Sequence, residues 1–401
     1  MEKRIKLALV NETFYPHVDG VHILVDQYAR LLSEEYDLTV VVSKPKGYGI
    51  SKAYYKSLPY KVMFCESSHL FKPRGYRFAT LWRSFGFKRR FKEEKFDLIH
   101  INSPGMLARF AIKQARKREI PIVFSLHSQY DIDFKKYLPK FLQKIIIKNI
   151  AEKLNRCDLL FSFNPKIAGY GRSLGITIPS VMVINGTQYE LTTAEMKEKY
   201  IIQAEEDYHL KPDDNVLLFV GRMIADKGIF LIADALKIVK QSNLVFKMLY
   251  VGTGPEFNKL KNYISELGLN DDVIFAGTIL DQEKMKSAYA VAKLFLFPSK
   301  YDLDGLVKRE AASFGCPSLL CEDTFAASDV THNVNGYVVS DKPEDMAAQI
   351  CSVLTGDTDY DTIAAKAKET LYLSWADAIK AVKLEYTKLL EQYEEKRKLK
   401  K

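Results

Sequence analysis

Short apolar runs bounded by turn residues, each followed by a stretch of helical period, recur along this chain in two series. The first holds IKLALV (5–10), LTVVVS (38–43), DLIHINS (97–103), PIVFSLHS (121–128) and CDLLFSFN (157–164). The second holds NVLLFVGR (215–222), FKMLYVGTG (246–254), DVIFAGT (272–278), KLFLFPS (293–299), CPSLLCE (316–322) and NGYVVS (335–340). Runs this short and rich in Val, Ile, Leu and Phe suit strands covered on both faces, and the helical stretches between them suit crossovers of a parallel sheet. The expected fold class is α/β, with two doubly wound Rossmann-like domains facing a central cleft.

Between the series, from Val183-Ile184-Asn185-Gly186 onward, regular patterning lapses and polar residues accumulate, which puts a hinge near 186–212. After Asp341 the pattern turns helical, and residues 375–401 read as one long terminal helix with a basic end. The expected division is an N-terminal domain over 1–190, a C-terminal domain over 191–378, and the terminal helix over 379–401.

With 401 residues the chain is long enough for two cores at roughly 100–200 residues per domain. Its 47% hydrophobic and 27% charged residues exclude a disordered or low-complexity protein. The apolar run in MEKRIKLALVNETFYP is about six residues, too short for a signal peptide or a membrane span. Five scattered cysteines without a C-x-x-C pair fit neither a disulfide framework nor a zinc cage, so a reducing cytoplasm is expected. The net charge of +9 is concentrated. Residues 72–92 hold eight Lys or Arg and no acid, and residues 135–156 hold seven against Glu152 alone. Cations interleaved with aromatic and aliphatic residues suit an anionic membrane surface, a nucleic-acid backbone or an anionic polymer, and equally a solvated face of ordinary helices.

Ligands of open α/β sheets bind beyond the carboxyl ends of the strands, so the loops after strands are where function is sought. After the first strand, Gly20 opens a helix, where backbone N–H groups can meet a phosphate or sugar. No G-x-G-x-x-G accompanies it, which disfavours a nicotinamide or flavin cofactor. His127 ends the strand PIVFSLH, better placed for a ligand than a core histidine. The strand VLLFV leads into Gly221-Arg222 and Lys227-Gly228, where a guanidinium fork and a mobile ammonium could both reach a diphosphate. The strand KLFLFPS leads into Asp302, Asp304 and Gly305, with Glu310 in the helix beyond. Carboxylates accept sugar hydroxyls, and the N–H groups of Gly305, Leu306 and Val307 could hold a diphosphate. Such a site fits a nucleotide sugar at both ends. Asp304, next to a turn glycine, reads as turn chemistry.

The spacing Asp302-x7-Glu310 within FPS…GLV..EA, together with GR….KG, YVGTGPEF, VIFAGTI and NGYVV, resembles the family-4 retaining glycosyltransferases over nearly the whole chain. The resemblance implies the GT-B fold and a metal-independent hexosyltransferase without cofactor. It implies that Arg222 and Lys227 hold the diphosphate, His127 contacts the donor sugar, Glu310 binds the ribose and Gly20 lies near the phosphates and acceptor. It also implies that the terminal helix crosses back to the first domain. The chain departs from the usual pattern at Asp302, where Glu is commoner, and at Ala326-Ala327-Ser328, where many relatives have Gly-Gly and a Glu. UDP is the expected nucleotide by family frequency. The expected acceptor is a glycolipid, a lipid-linked precursor or a cell-surface polysaccharide, reached from the cytoplasm at the inner face of a membrane, with no nucleic acid as partner. Rival readings are a non-catalytic nucleotide-sugar or anionic-polymer binding protein, an epimerase of the same fold, and a metal enzyme using Asp302-Leu303-Asp304 as a D-x-D site.

Overall fold

The computed structural model describes residues 4–15, 20–45, 52–68, 77–135 and 138–400, so residues 72–76 and 136–137 of the two basic segments lie outside it. The chain divides into two units: Met1–Ile184 with Trp375–Lys401, and Asn185–Ser374.

In the first unit, strands β1 (Lys6–Val10), β2 (Asp37–Ser43), β3 (Lys61–Cys65), β6 (Leu98–Ile101), β7 (Ile122–Ser125), β8 (Leu159–Ser162) and β9 (Ser180–Met182) form one sheet in the order β3-β2-β1-β6-β7-β8-β9. All its pairings are parallel. A two-residue hairpin, β4 (Ser67–Ser68) with β5 (Phe78–Ala79), stands apart. The helices are α1 (Gly20–Leu32), α2 (Lys52–Ser57), α3 (Phe85–Glu93), α4 (Met106–Arg118), α5 (Tyr130–Lys135), α6 (Lys140–Leu154) and α7 (Pro165–Ser173). Strand order reverses between β1 and β6, which makes their carboxyl ends the topological switch point. The sequence reading found the five inner strands and missed the sheet's two edges. β3 has only two buried residues in five, Met63 and Cys65, and β9 is three residues long without a buried one, so neither carries the unbroken apolar run of a central strand.

The second unit begins with α8 (Ala194–Tyr208) and continues through β10 (Val216–Val220), α9 (Ile229–Gln241), β11 (Lys247–Val251), α10 (Phe257–Glu266), β12 (Val273–Gly277), α11 (Gln282–Val291), β13 (Ala292–Leu296), α12 (Leu306–Ser313), β14 (Ser318–Cys321), β15 (Tyr337–Val339), α13 (Pro343–Thr355) and α14 (Tyr360–Leu371). The sheet order is β12-β11-β10-β13-β14-β15, again parallel and again reversing at its first strand. Strand pleating sends alternate residues to opposite faces. Val216 and Leu218 of β10 therefore join a core with α8, α11, α12 and α14, while Leu217 and Phe219 join one with α9, α10 and α13. These are two Rossmann-like domains, as expected.

The stretch 186–212 is not an irregular hinge. It contains the fifteen-residue α8, capped by Thr193 Oγ1 accepting from the Met196 N–H at 3.2 Å. Its buried face is Tyr200, Ala204 and Tyr208, a sparse stripe of spacing four hidden among charged residues, which is why it read as polar.

The terminal helix α15 (Trp375–Leu399) belongs to the first unit and packs on α1. Trp375, Ala378, Ile379, Val382, Tyr386 and Leu389 are its buried stripe, and its last turns are exposed and basic. The Tyr386 hydroxyl and Ser125 Oγ bracket the two ring nitrogens of His100 at 2.5 and 2.7 Å. Burial, with a smaller contribution from His127, pushes the His100 pKa down to about 3, so it serves as a neutral core linker and not as a charge.

Candidate functional site

In the second unit the loops after β10 and β13 flank the switch point and meet there. Lys227 Nζ reaches both carboxylate oxygens of Asp302, at 2.9 and 2.8 Å, and lies 5.3 Å from the centre of the Phe297 ring. Ser299 Oγ donates to the same carboxylate at 2.5 Å. Arg222 is exposed and has no side-chain partner among the described residues. Gly221 continues the strand, its N–H donating to the Val251 carbonyl at 3.0 Å.

Two helices start at this edge, α9 behind Gly228 and α12 behind Gly305, and neither Ncap supplies a side-chain hydrogen bond. Their first-turn N–H groups carry the positive end of the helix dipole. Gly305 has φ +70°, and a Cβ there would sit 2.7 Å from the Phe297 ring, so no other residue can turn the chain into α12 at this point. Leu306 and Val307 follow in the first turn, half-buried. Glu310, one turn further, accepts from the Tyr289 hydroxyl at 2.6 Å. Burial raises its pKa above the ordinary carboxylate value, against a smaller lowering by that hydrogen bond.

Asp304 is not turn chemistry. It is buried, accepts from Asn185 Nδ2 at 2.8 Å and pairs with the Arg309 guanidinium at 3.3 Å. Arg309 also bonds Asp329 at 2.8 Å and the Leu371 carbonyl at 2.9 Å. Lys308, fully buried, donates to Asp329 and to the Ala326 carbonyl. Burial works against the charged form of Asp329, but Lys308 and Arg309 outweigh it and hold its pKa below the ordinary value. Asp302 and Asp304 thus serve different partners.

The sequence reading missed this network. Its signal was available: Ala311, Ala312 and Ser313 lie one turn beyond Lys308 and Arg309 and are buried, and side chains that small leave room for two long cations on the same face.

In the first unit, Gly20 begins α1, the four residues before it lie outside the described ones, and a Cβ on it would meet nothing within 4 Å among the described residues. His127 is half-buried, two residues beyond β7. It stacks on Phe163 with ring centres 4.7 Å apart, and its Nε2 is 3.0 Å from Asn102 Oδ1.

Glu12, a second missed residue, is buried just after β1. Its carboxylate accepts from the Leu107 N–H at 2.7 Å, Ser43 Oγ at 3.0 Å and the Ala79 N–H at 3.3 Å. It occupies the N-terminus of α4 so closely that a Cβ on Gly105 would lie 2.2 Å from Oε1. Burial raises its pKa in spite of these bonds.

A family model described as "Glycosyltransferase Family 4" matches residues 18–187, and one described as "Glycosyl transferases group 1" matches residues 201–370. The chain belongs to the family-4 glycosyltransferases. This glycosyltransferase is 21% identical over 382 residues to the alpha-monoglucosyldiacylglycerol synthase of Streptococcus pneumoniae, covering 91% of its own length and 82% of the relative's. It is 23% identical over 335 residues to the synthase of the same name from Acholeplasma laidlawii, covering 76% and 81%. Among solved structures, Anabaena HepE in complex with UDP superposes with a TM-score of 0.77 at 16% identity, over 96% of this chain and all of the other. The fold is GT-B. Among the described residues no helix is long and apolar enough to cross a membrane.

Proposed function

We propose that this glycosyltransferase moves a hexose-type sugar, with retention and without a metal, from a UDP-sugar to a hydroxyl of a glycolipid, a lipid-linked precursor or a cell-surface polysaccharide. The observation that carries this reading is the pair of helix starts at Gly228 and Gly305, uncapped by side chains, with the Lys227–Asp302 pair between their loops. Two dipole ends and an ammonium at one switch point suit a diphosphate. The UDP complex of HepE and the two lipid synthases support the donor and the acceptor class.

On binding, the diphosphate takes Lys227 from Asp302, joined by exposed Arg222, and frees the carboxylate to accept hydroxyls of the transferred sugar. As the sugar–oxygen bond breaks, Lys227, Arg222 and the α12 N–H groups stabilise the charge on the departing phosphate, about 3–4 kcal/mol per well-placed donor in comparable oxyanion sites. Glu310 holds the ribose, and His127 orients the sugar. The acceptor hydroxyl attacks from the face the phosphate leaves, and that phosphate takes its proton. A sugar ester trapped on Asp302 would overturn this route.

The test is the melting temperature of the protein with UDP, GDP and ADP in turn, EDTA present. A nucleotide at about 100 times its dissociation constant adds about 2.7 kcal/mol. A shift with UDP supports the reading. No shift with any nucleotide overturns it, and a shift that appears only with Mn²⁺ favours a metal enzyme. Asp302→Asn then separates an enzyme, which loses turnover and keeps UDP, from a binding protein, which loses little. An epimerase reveals itself by turning over UDP-sugar with no acceptor.

For the acceptor, the supporting observation is α6. Phe141 and Ile145, four residues apart, are 64% and 60% exposed beside exposed Lys140, Lys144 and Lys148. A helix presenting lysines and bare apolar side chains together suits an anionic lipid surface, here the cytoplasmic leaflet. Phe141→Ser with Ile145→Ser should weaken binding to anionic vesicles and leave UDP binding unchanged. Failure of the wild type to bind such vesicles at low salt removes the membrane from the reading.

A further inference from the structure

The chain passes from the first unit to the second at Ile184-Asn185 and back at Ser374-Trp375. The two crossings are paired to each other, since the Thr187 N–H donates to the Leu373 carbonyl at 2.8 Å and Thr187 bridges Ser374. The same two segments are gripped by the network behind the nucleotide loop. Asn185, the first residue of the second unit, donates to Asp304 Oδ2 at 2.8 Å. The Leu371 carbonyl, three residues before the return crossing, accepts from Arg309 at 2.9 Å. Asp304 and Arg309 pair with each other at 3.3 Å. Asp304 lies between Asp302 and Gly305, so one side chain ties the loop under the diphosphate to the place where the chain enters the unit.

We propose that Asp304 and Arg309 are positioning residues that couple occupancy of the nucleotide site to the two crossing segments. The inference rests on the nucleotide reading above and goes beyond it by naming the route.

The chemistry suits this role better than that of a passive brace. A guanidinium fork engages two carboxylates and one carbonyl at fixed angles, so a small rotation of the α12 start displaces all three. The fit is also incomplete: Arg309 Nε and Asn185 Oδ1 are both buried without a partner among the described residues. Buried networks are normally fully satisfied. A stranded donor and a stranded acceptor in one network mark an arrangement that rearrangement of these groups could improve. Drawing Lys227 off Asp302 frees the carboxylate two residues from Asp304, which is how the nucleotide would reach the network.

Hydrogen–deuterium exchange of the full chain with and without UDP tests this. In the wild type, UDP should slow exchange at 302–308 and also at 185–187 and 371–374. In Asp304→Ala the slowing should persist at 302–308 and vanish at both crossings. Asn185→Ala severs one link and should lose the effect at 185–187 alone. A purely structural role would lower the melting temperature in these variants and leave the UDP-induced pattern intact, which overturns the coupling. UDP protection at 302–308 with none at the crossings in the wild type also overturns it while sparing the nucleotide site. No protection anywhere overturns both.

Discussion

The two units repeat one strand order and put opposite chemistry at the same place. In the first, the helix that starts after β6 is already occupied, because Glu12 reaches from the end of β1 and fills the N-terminus of α4. In the second, the helices after β10 and β13 start with glycine and no side-chain cap, and the cations gathered there are Lys227, paired with Asp302, and exposed Arg222. The topology supplies a dipole end at every such position; whether it becomes a ligand site depends on whether the chain has already spent it on its own carboxylate. The contrast extends below the surface. Among the described residues Glu12 faces backbone N–H groups and a hydroxyl and no cation, so burial raises its pKa, whereas Asp329 lies between Lys308 and Arg309 and is lowered.

The largest expected effect comes from breaking the ionic side of that contrast. Arg309→Ala takes the guanidinium from Asp304 and leaves Asp329 with Lys308 alone, and loss of one partner from a buried ion pair costs about 3–5 kcal/mol, read as a lower urea midpoint for the second unit. Glu12→Ala leaves backbone donors unpaired without stranding a charge, and should cost less, about 1–3 kcal/mol.

Lys227→Met comes next. It removes a charged hydrogen bond to phosphate, about 1.5–3 kcal/mol of UDP affinity by calorimetry, with little change in melting temperature because the pair with Asp302 is partly exposed.

Opposite pKa shifts give opposite pH dependences. A carboxyl raised in the fold binds its proton more tightly there than in the unfolded chain. Glu12 therefore contributes stability below its ordinary value of 4.5 that is lost as pH rises through its raised value. Asp329 contributes stability above its ordinary value of 3.8 that is lost as pH falls through its lowered one. Relative to the wild type, Glu12→Gln should gain stability as pH rises above 4.5, and Asp329→Asn should lose its disadvantage as pH falls below 3.8. Parallel profiles would erase the distinction between the two carboxyls.

The smallest effects sharpen the glycines. Gly105→Ala collides with the Glu12 carboxylate and should cost about 1–3 kcal/mol. Gly20→Ala meets nothing within 4 Å among the described residues, and its melting temperature should stay near that of the wild type, which makes it the control.

Much of the fold was legible because central parallel strands must be apolar on both faces, and that requirement leaves runs such as LTVVVS in the sequence. Edge strands such as β3, half exposed, and α8, with three buried residues in fifteen, relax the requirement and blur. The loops carrying Gly221, Arg222, Lys227, Asp302 and Gly305 could be placed for a related reason, since each follows one of those runs. The structure brings Lys227 to Asp302 and Glu310 to Tyr289, pairings that no spacing announces.

By itself, then, the sequence determined the order of the inner strands, the loops that follow them and the long helix at the end of the chain, because each follows from local period and burial. Only the tertiary structure decided what Glu12, Asn185, Asp304, Lys308, Arg309 and Asp329 do. Glu12 meets the Leu107 N–H across 95 positions, and Asn185 meets Asp304 across 119. A charge whose partner lies that far along the chain looks like a surface residue until folding removes the water around it and leaves the partner as its only source of stabilisation.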